Sequence, residues 1–399
     1  MRVGLIGTSL RENERRAPIH PRHFATLAAD VRSALVVETG YGERFGMRDA
    51  ELAPFVAGFA ARDEILRSAE MVILPKPMEA DLHAIREGGI LWGWLHFVLY
   101  GHLADIAVDR RLTVITWESM YEDGAAPGRR VHTFYENNML AGYGGVFHAL
   151  GCAGIDGRFG PPRSAVVIGH GYAGRSAVIA LQAAGFAAIT VYTLRDPHAI
   201  ADKISHVRYC KFAADPAGGS IAFDENGGRR RFVEVLRSAD VLVNCAGQDP
   251  EAPIMFVAEN EVPALDHPCL IVDVSCDPGM GFPFARTTTF EKPTFTVGRM
   301  TVCAVDHTPA YFWEAATWGI SKALCPHLPS IGSRLGHWRR KKTIAKAIEI
   351  DGGMIVNEKI ISYQGRSAIY PFRRMRGEFS RPTGRDLRFN RTQGNARQI

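Results

Sequence analysis

Nine short apolar runs alternate with helical stretches along the chain, and few folds accept that order. Each run has five to eight residues and little charge, which is typical of strands buried on both faces of a parallel sheet. Parallel strands need crossover connections, usually helices, so the pattern predicts an α/β protein. We expect one parallel sheet before residue 135 and another after residue 160. The runs are RVGLIG (2–7), ALVVET (34–39), MVILP (71–75), ILWGWLHF (90–97), LTVITW (112–117), SAVVIG (164–169), ITVYT (189–193), VLVNCA (241–246) and LIVDVS (270–275).

Two further segments suggest how the chain divides. FYENNMLAGYGGVFHALG (134–151) predicts a helix that joins the sheets, and AVDHTPAYFWEAATWGISKAL (304–324) predicts a loop that enters a long helix. We expect this helix to return to the first domain. The hypothesis is two Rossmann-like domains separated by an interdomain cleft, the first discontinuous (1–135 and 305–372) and the second continuous (136–304). Residues 373–399 read as a flexible basic tail.

Composition excludes several classes of protein. The chain has 399 residues, of which 46% are hydrophobic and 22% charged, as in ordinary globular proteins. The N-terminus lacks the apolar core of a secretory signal, and the stretch 88–104, which has no Asp, Glu, Lys or Arg, is shorter than the ~20 residues of a membrane span. Seven scattered cysteines without a CxxC pair predict neither disulfides nor a metal site. We expect a cytoplasmic protein without metal or membrane contacts.

The net charge of +5 comes from the C-terminal region. Residues 333–399 contain 16 Lys or Arg against 5 Asp or Glu, so the rest of the chain is net negative. WRRKK (338–342) and RFNRTQGNARQI (388–399) are basic enough to touch nucleic acid or acidic lipid. Solvated charge or disorder is the simpler interpretation, and we expect no nucleic-acid partner.

The stretch AVVIGHGYAGRSAVIALQAAGF (165–186) has the GxGxxG spacing of a dinucleotide site. A strand precedes it, a helix follows and ITVYT supplies the next strand, so the βαβ context is complete. The glycines permit a tight turn, a close pyrophosphate and close helix packing, respectively. A glycine-rich turn without a ligand is the alternative. The predicted contacts within this domain are Gly169, Gly171, Tyr172, Ala173, Gly174, Thr193, Arg195, Ala246 and Gly247.

The end of the second strand indicates which dinucleotide binds. NAD sites usually have an acid there, yet this sequence has Thr193, and Asp196 comes three residues later. Thr193 and Arg195 would accept a 2′-phosphate, so we predict NADP(H), with NAD(H) as the alternative. Alternatively, Arg195 stacks on the adenine or faces solvent.

Two apolar runs of the first domain finish on single basic residues, Lys76 and His96. Ligands gather at the carboxyl ends of parallel strands, so these positions favour chemistry, although helix capping and snorkelling are alternatives. Further candidates follow other strands or lie upstream. They are Arg16 in NERRAPIHP (13–21), Glu118 in ITWESM, Asp273 and Asp277 in VDVSCDPGMG (272–281), and Asp306 and His307 in AVDHTPAYF (304–312).

These motifs, in this order, resemble the alanine dehydrogenase family, whose relatives include lysine-forming saccharopine dehydrogenase and carboxyethylornithine synthase. The resemblance rests on NERRAPIHP, ILPKP, LWGWLHF, MLAGYGGV, VVIGHGYAG, DVSCDPG and AVDHTP, and it covers roughly residues 1–325. It implies that Arg16 binds a substrate carboxylate and that Lys76 and His96 transfer protons. It also implies that Asp277 lies near the nicotinamide ribose and the substrate nitrogen. Glu118, Asp306 and His307 become candidate substrate contacts.

Within this family, AVDHTP and NERRAPIHP resemble the saccharopine and carboxyethylornithine enzymes. We therefore expect an opine-type dehydrogenase that joins a 2-keto acid to the side-chain amine of lysine or ornithine, or cleaves that product, by hydride transfer at an imine. One alternative is alanine dehydrogenase, which uses pyruvate and ammonia. Another is a non-catalytic NADP-binding sensor. The expected partners are small amino and keto acids, and a homodimer is the default assembly.

Overall fold

A computed structural model describes residues 1–125, 128–224, 227–329 and 338–375. In these ranges the chain forms two large, mostly parallel sheets with helices packed against them, which confirms the predicted α/β class. The predicted tail, apart from residues 373–375, lies outside the described residues. No helix within the described ranges is long and apolar enough to cross a membrane.

The first sheet contains the N-terminal strands in the order β6-β5-β4-β1-β2-β3, all parallel. Parallel pairing places the carboxyl ends of β4, β5 and β6 along one edge. The strands are β1 (Val3–Leu5), β2 (Leu35–Glu38), β3 (Gly58–Ala60), β4 (Met71–Ile73), β5 (Ile90–Gly93) and β6 (Thr113–Thr116). A separate antiparallel hairpin follows, made of β7 (Tyr121–Asp123) and β8 (Arg130–His132).

The second sheet has nine strands in the order β13-β12-β11-β10-β9-β14-β15-β17-β16. Its centre, from β11 to β17, is parallel, and the outer strands β12, β13 and β16 are antiparallel. The strands are β9 (Ser164–Ile168), β10 (Ala188–Thr193), β11 (Arg208–Ala214), β12 (Ser220–Phe223), β13 (Arg229–Arg231), β14 (Val241–Asn244), β15 (Cys269–Asp273), β16 (Thr294–Val297) and β17 (Met300–Cys303).

Two late strands return to the first sheet. β18 (Ile348–Asp351) pairs antiparallel with β6, and β19 (Met354–Ile355) pairs with β18. The chain therefore completes its first sheet only after the second has been made.

The helices that cover the sheets are mostly short. The longest, α6, connects the two sheets and packs closely on α7, where a Cβ added to Gly142 would lie 1.9 Å from Ala173 O. The helices are α1 (Ala29–Arg32), α2 (Asp49–Leu52), α3 (Arg62–Ser68), α4 (Glu79–Ala84), α5 (Gly101–Asp109), α6 (Tyr135–Ala153), α7 (Tyr172–Ala183), α8 (Phe232–Leu236) and α9 (Trp313–Leu324), with two more at Lys342–Ala345 and Glu358–Tyr363.

Alternate residues of the central strands enter different hydrophobic clusters on the two faces of each sheet. Val37 lies in one cluster and its neighbour Val36 in the other, as the two-residue period of a strand requires. Ile320 and Leu324 of α9 join a cluster of the first sheet. Both sheets are thus buried on two faces, which accounts for the nearly continuous apolar runs in the sequence.

Candidate active site

The glycine turn after β9 has the steric properties that a diphosphate site requires. Gly169 has φ +98°, and an added Cβ would meet Cys245 O at 2.9 Å. Gly171, at the start of α7, would point its Cβ into open space. Gly174 lies so close to the turn that a Cβ would be 2.2 Å from Gly169 O. The first glycine permits the turn, the second leaves room for a ligand, and the third lets α7 approach the strand.

A pocket of about 640 Å³ opens at this turn. Its size and its backbone geometry fit a nicotinamide dinucleotide. Ala173 and Gly174 do not line it, because they face the packing contacts of α7, and Asp277 lies outside the lining as well. The other predicted contacts do line it: Gly169, Gly171, Tyr172, Thr193, Arg195, Ala246 and Gly247.

The end of β10 carries a threonine and an arginine in place of an acid. Thr193 is buried, and its Oγ1 accepts a hydrogen bond of 3.3 Å from the Arg195 backbone N–H. The Arg195 side chain is exposed, and its Nη2 donates to His170 O at 2.9 Å. Asp202, an acid of the pocket lining, forms an ion pair with Arg175. Arg195 therefore keeps donor groups for a ligand.

Lys76 and His96 lie at the same sheet edge because β4 and β5 are parallel neighbours. Each residue comes three positions after its strand ends. Trp94 N donates to Pro75 O at 2.9 Å, so the two segments stay in contact beyond the sheet. The backbone of His96 has φ +49°, a left-handed conformation that is unusual for histidine.

Burial and neighbouring charges shift the pKa values of Lys76 and His96. Burial lowers the pKa of Lys76, and the charge of Asp306 only partly opposes this. The charges of Arg11 and Arg16 lower it further. Burial also lowers the pKa of His96 to about 3, with Lys76 as the second cause. At neutral pH His96 is therefore uncharged, and Lys76 releases its proton more readily than a surface lysine does.

Glu118 holds the backbone of His96 in place. Its Oε1 accepts hydrogen bonds from the N–H groups of His96 at 2.5 Å and Leu95 at 3.3 Å. Burial raises the pKa of Glu118 to about 8, and the nearby carboxyl group of Glu349 on β18 adds to the rise. The Oε2 atoms of both glutamates are buried without a hydrogen-bond partner among the described residues. The raised pKa of Glu118 keeps its carboxyl group mostly protonated at neutral pH.

Arg16 is fixed on several sides. Its Nε and Nη2 donate to the carboxylate of Glu14 at 2.8 and 2.5 Å, and Nη1 donates to Asn137 Oδ1 at 2.9 Å. Burial opposes ionisation of Glu14, but Arg16 outweighs it and keeps the pKa of Glu14 below its usual value. Arg16, the predicted partner of the substrate carboxylate, thus already uses its Nε and Nη2 edge to bind Glu14. Only its remaining N–H groups are available to a substrate.

Asp306 and His307, which follow the second sheet, bind residues of the N-terminal segment. Asp306 Oδ1 accepts from Arg11 Nη2 at 2.5 Å and lies 2.9 Å from His307 Nδ1. His307 Nε2 donates to the backbone oxygen of Glu12 at 2.8 Å. Burial opposes the charge of Asp306, but His307, Lys76 and Arg11 outweigh it and hold its pKa far below the ordinary value.

Asp277 lies in the loop after β15, and this loop reaches the nucleotide pocket. Ser275 Oγ donates to Ala246 O at 2.8 Å, and Ala246 lines the pocket. Burial raises the pKa of Asp277 to about 7, and the charges of Asp273 and Asp306 add to the rise. Lys76 opposes it, so Lys76 and Asp277 are electrostatic neighbours. Asp273 itself is buried and accepts from Asn244 Nδ2 at 2.8 Å.

The sequence interpretation missed four residues that complete this arrangement. Arg11 pairs with Asp306, Glu14 and Asn137 orient Arg16, and Glu349 raises the pKa of Glu118. Glu14 had a signal, since it stands two residues before Arg16 in NERR. The other partners are distant in the chain and belong to no periodic pattern.

Two family models together match most of the chain. The N-terminal domain of alanine dehydrogenase/PNT matches residues 8–136, and the C-terminal domain of alanine dehydrogenase/PNT matches residues 145–358. The chain belongs to the alanine dehydrogenase/PNT family. This confirms the family that the motifs resembled, and it makes the protein an NAD(P)-dependent oxidoreductase that acts on CH–NH bonds.

Relatives in this family include enzymes of both kinds considered above. An alanine dehydrogenase of Mycobacterium tuberculosis is 27% identical over 386 residues, which cover 92% of this chain and 97% of the relative. An N(5)-(carboxyethyl)ornithine synthase of Clostridium botulinum is 24% identical over 331 residues, which cover 80% and 91%. A solved L-alanine dehydrogenase has the same alanine dehydrogenase/PNT fold with a TM-score of 0.69 at 18% identity, over 91% of this chain and 99% of that one. A transhydrogenase of Sinorhizobium meliloti has a TM-score of 0.62 at 16% identity, over 89% and 100%.

Proposed function

We propose that the protein interconverts a small 2-keto acid and an amino acid with a nicotinamide dinucleotide, and that pyruvate and ammonia are its first candidate substrates. The observation that carries the proposal is the meeting of Lys76, His96 and Asp277 beside the nucleotide pocket. The match to alanine dehydrogenases over most of the chain supports ammonia as the nitrogen donor. It favours this alternative over the opine-type reaction that the sequence first suggested.

The role proposed for each site residue follows from its charge state. The remaining N–H groups of Arg16 bind the keto acid carboxylate. Neutral His96 donates a hydrogen bond to the substrate oxygen. Lys76 and Asp277, whose pKa values move toward neutrality, transfer the protons that carbinolamine formation and loss of water require. The bound nicotinamide supplies or accepts the hydride at the substrate carbon.

The elements that carry these residues suggest a separate function for each of the two domains. We retain as part of the proposal that residues 1–135 and 305–372 form the substrate and catalytic domain. The pairing of β18 with β6 supports this grouping. Residues 136–304, which contain the glycine turn, form the dinucleotide-binding domain.

The opine-type reaction stays as the second candidate because of the acidic surroundings of the site. Asp273, Asp277 and Asp306 lie close enough for their charges to affect one another. These carboxyl groups offer partners for the second ammonium group of a diamino acid such as lysine or ornithine. The similarity to a carboxyethylornithine synthase over most of that relative supports the same candidate.

A matrix of keto acids and amines separates the two candidates. Pyruvate and glyoxylate are each combined with ammonia, ornithine or lysine. Dinucleotide oxidation is followed by absorbance, and the mass of each product is determined by mass spectrometry. Turnover with ammonia supports the alanine dehydrogenase reaction, and a secondary amine product supports the opine type. Dinucleotide binding without turnover of any pair contradicts both reactions and favours the sensor.

For the cofactor we propose NADP(H). Support comes from Thr193 at the usual acid position and from the exposed Arg195 beside it. Dissociation constants for NADPH and NADH are compared in the native protein and in Arg195→Gln. The native protein should prefer NADPH, and the variant should lose that preference while NADH binding stays the same. A native preference for NADH contradicts the proposal.

A further inference from the structure

We propose that Arg129, on the β7–β8 hairpin outside the nucleotide-binding sheet, binds the diphosphate of the dinucleotide. The inference rests on the proposed dinucleotide site and adds to it a residue that the glycine motif does not include. Arg129 and its neighbour Arg130 both line the 640 Å³ pocket, together with Gly169 and Gly171 of the motif.

The backbone around the hairpin fixes this placement. Gly124 N donates to Arg129 O at 2.7 Å, so the strands stay paired up to the arginine. Soon after β8 the chain enters α6 at Tyr135, whose ring centroid lies 5.3 Å from that of Tyr172. Tyr172 is the first residue of α7, the helix that begins at the glycine turn. The hairpin is therefore held close to the positive end of α7, where a diphosphate is expected.

The charges around the pocket favour an anion. Six charged side chains line it, four arginines and two aspartates, and both aspartates are already paired. Asp202 is paired with Arg175 inside the lining. Asp249 is paired with Lys359, from a late segment of the chain, at 2.8 Å. The lining arginines without a carboxylate partner among the described residues are Arg129, Arg130 and Arg195.

These three arginines are engaged differently. Arg195, which follows β10 on the adenosine side of the site, donates to His170 O. The guanidinium of Arg130 lies over the ring of Tyr121 at 4.6 Å. The exposed side chain of Arg129 makes neither a hydrogen bond nor an ion pair with any residue of the described ranges. Its planar fork can therefore bind two phosphate oxygens without first breaking another contact.

The test measures binding rather than turnover. Calorimetry with ADP-ribose, which keeps the diphosphate and lacks the nicotinamide, is carried out on Arg129→Gln and on a matched control, Arg67→Gln, an exposed arginine on α3. We expect the dissociation constant to rise roughly tenfold in Arg129→Gln, as for loss of a charged hydrogen bond, and to stay unchanged in the control. Arg129→Lys should recover part of the affinity, because the charge is kept and the fork is lost.

A second comparison separates the diphosphate from the 2′-phosphate. Arg129→Gln should weaken NADH and NADPH by the same factor, whereas Arg195→Gln should weaken NADPH alone. Unchanged ADP-ribose binding in Arg129→Gln overturns the inference, and selective loss of NADPH assigns Arg129 to the 2′-phosphate instead. If the native protein binds ADP-ribose but turns over no substrate, the proposed function fails while the role of Arg129 can still be measured.

Discussion

The two halves of the proposed active site are built by different means. The nucleotide side depends on backbone shape: Gly169 makes a turn, Gly171 leaves space, and Gly174 lets a helix come close. The substrate side depends on charges that perturb one another, such as Lys76 beside Asp277 and Arg16 beside Glu14. A shape-based site fails when an atom is added, whereas a charge-based site fails when a charge is removed.

The largest effect is expected from loss of the Lys76 charge. Lys76→Met should lower kcat by roughly 10³-fold, because a positioned proton-transferring group is lost, while the NADPH dissociation constant stays near the native value. Steady-state kinetics and dinucleotide fluorescence measure the two quantities. Lys292→Met, at an exposed position, is the control. A kcat within tenfold of the native value removes Lys76 from the mechanism.

The next test adds one methyl group at two places in the glycine turn. Gly174→Ala brings a Cβ to 2.2 Å from Gly169 O, so the helix must shift and the stability should fall by about 1–3 kcal/mol. Gly171→Ala meets no atom within 4 Å, so its melting temperature should stay the same while dinucleotide binding weakens. Thermal unfolding and calorimetry are measured on both variants. Equal melting temperatures would show that the third glycine has no packing role.

A smaller effect is expected in the pH dependence through Asp277. Because its pKa is raised to about 7, the protonated, proton-donating form predominates below that pH and is lost above it. In the reductive direction, kcat/KM for the keto acid should fall as the pH rises through 7. Asp277→Asn should lack this limb of the profile, and Asp63→Asn, at an exposed position, should keep it. A profile unchanged by Asp277→Asn assigns the limb to another group.

The smallest effect concerns the pair of Glu118 and Glu349. Both pKa values are raised in the folded protein, so the folded state binds more protons than the unfolded state, and stability falls as the pH rises from about 5 to 8. Glu349→Gln removes one of the two charges and can keep the hydrogen bond from Ser119. At each pH the melting temperature of the native protein is subtracted from that of the variant. This difference should be about 2–4 °C larger at pH 8 than at pH 5. A difference that is the same at both pH values argues against electrostatic coupling between Glu118 and Glu349.

The difference between the two sides also explains what the sequence could predict. The glycine turn is contiguous, and each glycine has a steric reason that spacing alone reveals. Lys76 and His96 were predictable because parallel strands end at one edge, so position in a strand is enough. The confirmed α/β class follows from the same apolar runs.

The charge pairs could not be predicted in this way. Arg11 and Asp306 meet only because the chain returns after the second sheet, and no local period marks that meeting. Glu349 lies in β18, whose short IEID segment gives a weak strand signal, and its effect on Glu118 depends on the pairing of β18 with β6. The outer strands β12 and β13 were also missed. β12 has only four residues, and the three arginines of β13 do not resemble a buried run.

The late return of β18 has a consequence for how the protein is made. On the ribosome, β6 emerges before the second sheet, and its apolar edge has no partner until the last part of the chain appears. An uncovered apolar edge strand is prone to pair with other chains. The second sheet can close on its own contiguous residues in the meantime. Newly made chains should therefore depend on chaperones mainly to shield the edge of β6, and truncation before Ile348 should cause aggregation rather than simple loss of activity.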